Sequence, residues 1–159
     1  MSGGPPPRHT VATPTGAVML ETDPAGSVLT LIRWGGRPTE TDAHGPLLTE
    51  AAAQIDAYFA GRLERFDLPL APAETEFDDA VRRAMCAIPY GRTRTYGELA
   101  RTIGTNPRVA GAACGRNPLP ILVPCHRVVG ADGHLVGFSG GSGVETKRAL
   151  LAHEGALLL

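Results

Sequence analysis

The stretch ILVPCHRVVG, residues 121–130, puts a thiol and an imidazole side by side after an aliphatic run. Four uses suit Cys125: packing, metal binding, redox exchange or nucleophilic attack. A free thiol ionises only near pH ~8.5, so attack needs a positive or hydrogen-bonding neighbour. His126 is adjacent, but consecutive residues of a strand point to opposite faces. Pairing therefore requires the chain to turn at Cys125, or a bridging water. Pro124 suits a strand that ends there. Further on, Glu154 in LLAHEG falls in the last turn of a helix that stops at Gly155. The helix dipole disfavours an anion at that end by roughly a few tenths of a kcal/mol, and a histidine partner would hold it in place. A Cys125–His126–Glu154 relay, with Glu154 orienting the imidazole, is one reading. A buried, inert thiol is the other.

Cysteine usage narrows the chemistry. Cys86, Cys114 and Cys125 are odd in number and lack C-x-x-C spacing, which speaks against a structural zinc site, and no metal is expected. The opening, MSGGPPPRHTVATPTG, has no apolar secretory core and reads as a flexible tail over residues 1–15. A reducing, cytoplasmic setting without disulfides is expected. Cys86 is expected in or near the core of its helix. With 159 residues, 43% of them hydrophobic, the chain fits one large or two small soluble domains. No apolar run nears the roughly 18 residues of a membrane span.

The elements that must carry these residues can be read from spacing. GAVMLETD and GSVLTLIRW, separated by PAG, predict a strand pair. Leu48, Ala51, Ala52, Ile55, Tyr58 and Phe59 predict a helix stopped by Gly61. Residues 16–70 are thus expected to form an N-terminal α/β domain, with LERFDLPLAPAETEF as the linker. Residues 71–159 are expected to form a mostly helical C-terminal domain. Thr75 caps a helix with the apolar face Phe77, Val81, Ala84, Met85 and Ile88. Thr95-Tyr96-Gly97-Glu98 is a capping box that opens a second helix with the inward stripe Tyr96, Leu99, Ala100 and Ile103. GTNP breaks the chain, and a third helix runs from Arg108 to about Arg116.

Two short helices joined by a tight turn form a helix-turn-helix candidate. Gly111, Ala112 and Gly115 make a small-residue stripe on the second. Such a stripe allows close approach to another surface but carries no groups to read base edges. It equally permits tight helix–helix packing. Charge separates the two halves: residues 1–81 carry 5 arginines against 12 acids, a net −7, and residues 82–159 carry 10 basic residues against 4 acids, a net +6. A basic second half suits a polyanionic partner, and a chance distribution of surface charge is the alternative. Lys147 is the only lysine among the 15 basic residues.

NPLPILVPCHRVVG closely resembles the acceptor segment of the methylated-DNA–protein-cysteine methyltransferases, which repair O6-alkylguanine. The similarity continues through IPYGRTRTYGELA, FSGG and LLAHEG and is strong over residues 77–155. It extends weakly to TPTGAVML and AYFAGRLERFDL. The resemblance implies an α/β domain followed by a helical, winged-helix-like domain with a helix-turn-helix. It also implies direct, irreversible transfer of the alkyl group to Cys125, once per molecule and without a cofactor. His126 would act through water as base, oriented by Glu154. Tyr96 would protonate the leaving guanine near N3, Asn117 would order the site, and the backbone N–H of Ser139 would contact the base oxygen. Arg108 would fill the gap left by the extruded base, while Gly111 and Ala112 would let the helix press into the minor groove of double-stranded DNA. A monomer is expected.

Four features depart from the family. Phe138 replaces tyrosine in YSGG and keeps only the ring that walls the pocket. Arg83 replaces a tryptophan, the turn before Arg108 is shorter, and residues 140–145 are longer. Two other functions stand beside repair: a lesion-binding module without chemistry, and a cysteine hydrolase or redox sensor. Cys125 argues against the first, and the helix pair with no nearby resolving cysteine argues against the second.

Overall fold

Alternation of side chains builds the first part of the chain. In β2 (Val18–Thr22), Val18, Leu20 and Thr22 are buried and the residues between them are not, as a half-covered strand requires. β3 (Leu29–Trp34) pairs with it antiparallel, Leu20 opposite Ile32. Asp23 closes the turn between them by accepting from the backbone N–H groups of Ser27 and Val28. The predicted strand pair is present. Of the flexible tail expected over residues 1–15, residues 1–4 lie outside the described residues, and the rest is corrected at Arg8–Val11, which form a strand, β1, along β2 with His9 opposite Leu20. Pro5 to Pro7 precede the strand rather than interrupt it, and an edge strand tolerates prolines at its start. Val11 and His9 are buried there, and Arg8 reaches Glu21 at 2.9 Å.

Helix α1 (Pro46–Phe59) packs on β1 and β2 and buries Leu48, Ala51, Ile55 and Tyr58. The chain beyond it, expected as the linker, contains the boundary between the two units, and its first part is anchored to the first unit. Gln54 holds the backbone of Asp67 through both its N–H and its carbonyl, and Leu70 bridges to Leu29. Residues 5–38, 45–138 and 140–156 are described in this computed structural model. The chain divides into two units, Met1–Ala71 and Pro72–Leu159.

In the second unit α2 (Glu76–Cys86) is capped by Thr75, whose hydroxyl accepts from the Asp78 N–H, and it buries Val81 and Met85. Cys86, expected in or near the core, is exposed instead. It follows Met85 by about 100° around the helix, off the buried stripe. The capping box of α3 (Tyr96–Ile103) has both its bonds, Glu98 N–H to Thr95 Oγ1 and Thr95 N–H to Glu98 Oε1. Asn106 caps α4 (Pro107–Gly115) by accepting from the Val109 N–H, with Pro107 in the first turn. Helices α2, α3 and α4 pack on one another.

One short ladder positions the site. β4 (Arg94–Thr95) pairs in parallel with β5 (Val128–Val129), Thr95 opposite Val129. β4 runs directly into Tyr96, and β5 is reached directly from Cys125-His126-Arg127. The ladder therefore fixes the start of α3 against the acceptor segment. Helix α5 (Val144–His153) packs on that segment. No helix among the described residues is long and apolar enough to cross a membrane.

Candidate active site

Cys125 opens a single 3₁₀ turn, Cys125–Arg127, so its neighbour departs by about 120° rather than the strand's half-turn. The loop before it is held by Asn117, whose Nδ2 donates to the Val123 carbonyl at 2.9 Å and whose Oδ1 accepts from the Leu119 N–H at 3.0 Å. Within that loop Ile121 has φ 75°, a left-handed conformation that costs a β-branched residue about 1–3 kcal/mol. Its buried side chain holds it there. Cys125 is 9% exposed. Burial pushes its thiol up, and a hydrogen bond with Asn117 and the charge of Lys147 oppose the rise. The sulfur at rest holds its proton.

His126 is fully buried, with Nε2 2.8 Å from Glu154 Oε2. A carboxylate only accepts, so Nε2 carries the proton and Nδ1 keeps a lone pair. Nδ1 has no hydrogen-bond partner among the described residues. Burial lowers the proton affinity of the ring, and the Glu154 bond partly restores it. Glu154 sits at the C-cap of α5, as its sequence position indicated. What keeps it there is also Arg127, which sequence reasoning missed. Arg127 Nε and Nη2 grip the two carboxylate oxygens at 2.8 and 3.0 Å, and Nη1 donates to the Ile88 carbonyl at 2.7 Å. The guanidinium lies 5.8 Å from the Tyr90 ring centre. Gly91 belongs to the same clamp: a Cβ there would stand 3.1 Å from the Glu154 carbonyl oxygen. The motif IPYG thus serves Glu154 through Ile88, Tyr90 and Gly91.

A second polar cluster contains Tyr96. Its hydroxyl donates to the Val136 carbonyl at 3.3 Å and accepts from Lys147 Nζ at 3.3 Å. Burial pushes the phenol up to about 12. Lys147 was visible in the sequence only as the sole lysine, and its place in the site was missed. Gly111 faces Tyr96, with a virtual Cβ 3.7 Å from the ring. The small-residue stripe therefore splits: Gly111 serves internal packing, while Ala112 and Gly115 are exposed. Arg108 is exposed in the first turn of α4. Phe138 is half-buried, and Ser139 lies outside the described residues. Arg83 is exposed and pairs with Asp79 on its own helix. Among the described residues no three of His, Cys, Asp and Glu gather as metal ligands.

The chain is thus an antiparallel sheet with one helix, followed by a helical unit that buries Cys125, His126 and Glu154. Residues 76–156 match the 6-O-methylguanine DNA methyltransferase DNA-binding domain, and residues 21–72 match the ribonuclease-like domain of the same protein. A methylated-DNA–protein-cysteine methyltransferase of Methanosarcina acetivorans is 44% identical over 151 residues, covering 91% of this chain and 95% of that protein. One of Mycobacterium tuberculosis is 42% identical over 153 residues, covering 92% and 90%. The crystal structure of Mycobacterium tuberculosis OGT in complex with DNA superposes with a TM-score of 0.80 at 42% identity, over 94% of this chain and 92% of that one. The chain belongs to the 6-O-methylguanine DNA methyltransferase family.

Proposed function

We propose that this protein repairs double-stranded DNA by moving the alkyl group of O6-alkylguanine irreversibly onto Cys125, once per molecule. The observation that carries this reading is the buried His126–Glu154 pair directly after Cys125, with a lone pair left on Nδ1. His126 takes the thiol proton through a water. The sulfur lone pair then forms a bond to the alkyl carbon as the carbon–O6 bond breaks. Tyr96 gives a proton to guanine N3. Nucleophile, base and acid are all side chains, so the reaction needs no cofactor. Asn117 holds the acceptor loop, and the Phe138 ring walls the pocket.

A base inside a duplex is out of reach, so the lesion is rotated out at a cost of about a few kcal/mol. Exposed Arg108 fills the gap, and α4 docks in the minor groove through its exposed small residues, Ala112 among them. Arg92, Arg94, Arg101 and Arg116 are exposed on the same unit and supply phosphate contacts, which make affinity salt-sensitive. The protein works as a monomer, in the reducing cytoplasm that a thiol acceptor needs. The test is incubation with an O6-methylguanine duplex followed by peptide mass. One methyl on the Cys125 peptide is expected, and an unmodified peptide beside bound lesion DNA overturns the reading.

A further inference from the structure

The end of α4 and the start of α2 meet in an exposed ion pair. Arg116 Nη2 lies 2.8 Å from Asp78 Oδ1, with the side chains 55% and 25% exposed. Arg116 is the C-cap of α4, and its N–H donates to the Ala113 carbonyl at 3.1 Å. Arg108, Val109 and Ala112 are exposed as Arg116 is. Val109, Ala112 and Arg116 follow one another by three and four residues, so they share a face, and Arg108 adjoins it. At 1.5 Å per residue the two arginines stand about 12 Å apart along the axis. One therefore sits at each end of the face by which α4 docks in the minor groove, which is about 6 Å wide. Arg108 fills the gap in the stack, and Arg116 reaches the phosphates beside it. Asp78 belongs to the first turn of α2, with Glu76 and Asp79, where the positive end of the helix favours an anion. Its N–H is already bonded to Thr75 Oγ1. Asp78 thus keeps its charge without help from Arg116. Its neighbour Asp79 differs: it pairs with Arg83 of its own helix at 3.4 Å and makes no link to α4 through that contact.

We propose that Asp78 sets the affinity for DNA: it occupies the Arg116 guanidinium in the free protein, and a duplex phosphate takes its place when α4 docks. This rests on the duplex-docking part of the repair reading above. Two anions exchange on one cation, and no covalent bond changes. The exchange is easy in both directions, because an exposed pair is screened by water and gains little over its separated partners. A phosphate oxygen offers Arg116 the same charge-assisted hydrogen bond, and its neutralisation releases a condensed counterion from the DNA. The displaced Asp78 stays wetted at a helix end that favours it. Arg127 and Glu154 show the opposite design: both are buried, so parting them strands a charge, and that pair does not exchange. The consequence concerns the search for damage. Each phosphate contact adds affinity for undamaged DNA of any sequence, and undamaged sites compete in great excess. A carboxylate that has to be displaced at every docking lowers that affinity and shortens each unproductive visit.

The experiment measures binding of the full chain to an undamaged duplex across a salt series, by fluorescence anisotropy, beside methyl transfer from an O6-methylguanine duplex. Wild type is compared with Asp78→Asn, Asp79→Asn and Arg116→Gln, and with each aspartate variant combined with Arg116→Gln. Asp79→Asn removes the same charge one residue on and leaves the Asp78–Arg116 pair intact, so it reports the general effect of one acid fewer. Asp78→Asn should bind about threefold more tightly than Asp79→Asn, the worth of one exposed pair. In the Arg116→Gln background the two aspartate variants should bind alike. Adding Arg116→Gln to Asp78→Asn should lower the slope of log affinity against log salt by about 0.9, the signature of one phosphate contact. Equal affinities of Asp78→Asn and Asp79→Asn overturn the proposal, as does a salt slope that Arg116→Gln leaves unchanged. Thermal melts check folding, and should Asp78→Asn melt early, Asp78→Ser takes its place with the same criteria. A wild type whose duplex binding ignores salt overturns the docking reading and this proposal together. A wild type that binds with the expected slopes and leaves Cys125 unmethylated overturns alkyl transfer alone.

Discussion

Arg127 and Lys147 are both buried cations that act on the same site, and the protein treats them in opposite ways. Arg127 spends three N–H groups on two carboxylate oxygens and a carbonyl. Lys147 meets a carbonyl and a phenol and no carboxylate. A buried charge that is fully matched becomes a fixed part of the scaffold, because removing its partner strands the other charge. A buried charge with neutral partners has no opposite charge to answer it, and burial lowers its proton affinity. The difference divides the site into a half locked by an ion pair and a half held by neutral groups alone.

The sharpest way to break this comparison is thermodynamic. Arg127→Met strands Glu154 and should cost about 3–5 kcal/mol in urea unfolding, whereas Lys147→Met strands nothing and should leave stability within about 1 kcal/mol or raise it. Equal losses would erase the distinction. A second prediction concerns acid. Burial depresses the His126 proton affinity below 6.5 in the folded protein, so on going below pH 6.5 the unfolded chain takes up a proton that the folded chain refuses. Stability is therefore full above 6.5 and falls as pH drops, by up to about 1.4 kcal/mol per pH unit from this group. Tm followed from pH ~7.5 to ~5.5 should show the fall in wild type and a shallower one in His126→Gln. A smaller effect refines the second half of the site: Thr95→Ala, which removes the cap that starts α3 at Tyr96, should cost about 1 kcal/mol and slow methyl transfer without moving its pH profile.

Local chemistry was legible in the sequence wherever it acts over three or four residues. The Thr75 cap, the Thr95–Glu98 box and the periodic faces of α1 and α2 depend only on near neighbours, and the structure has them. The Cys125 turn was inferred as a condition for pairing and is a 3₁₀ turn. Glu154 was traced from a helix-end argument, which named one of its two partners. Arg127 escaped because its partners lie 27 and 39 positions away, and no spacing rule reaches that far. It stood next to His126, in the motif that gave the family resemblance. β1 escaped because prolines that precede an edge strand look the same as prolines in a loose tail. Lys147 left a signal in composition alone, and only its burial gives that signal meaning.

One consequence of that burial reaches beyond chemistry. As the chain's single side-chain amine is sealed, acylating reagents aimed at lysine find no ε-nitrogen on the native surface. Any labelling of residue 147 then counts the moments when α5 lifts from its bed, so a composition quirk turns into a built-in clock for local opening.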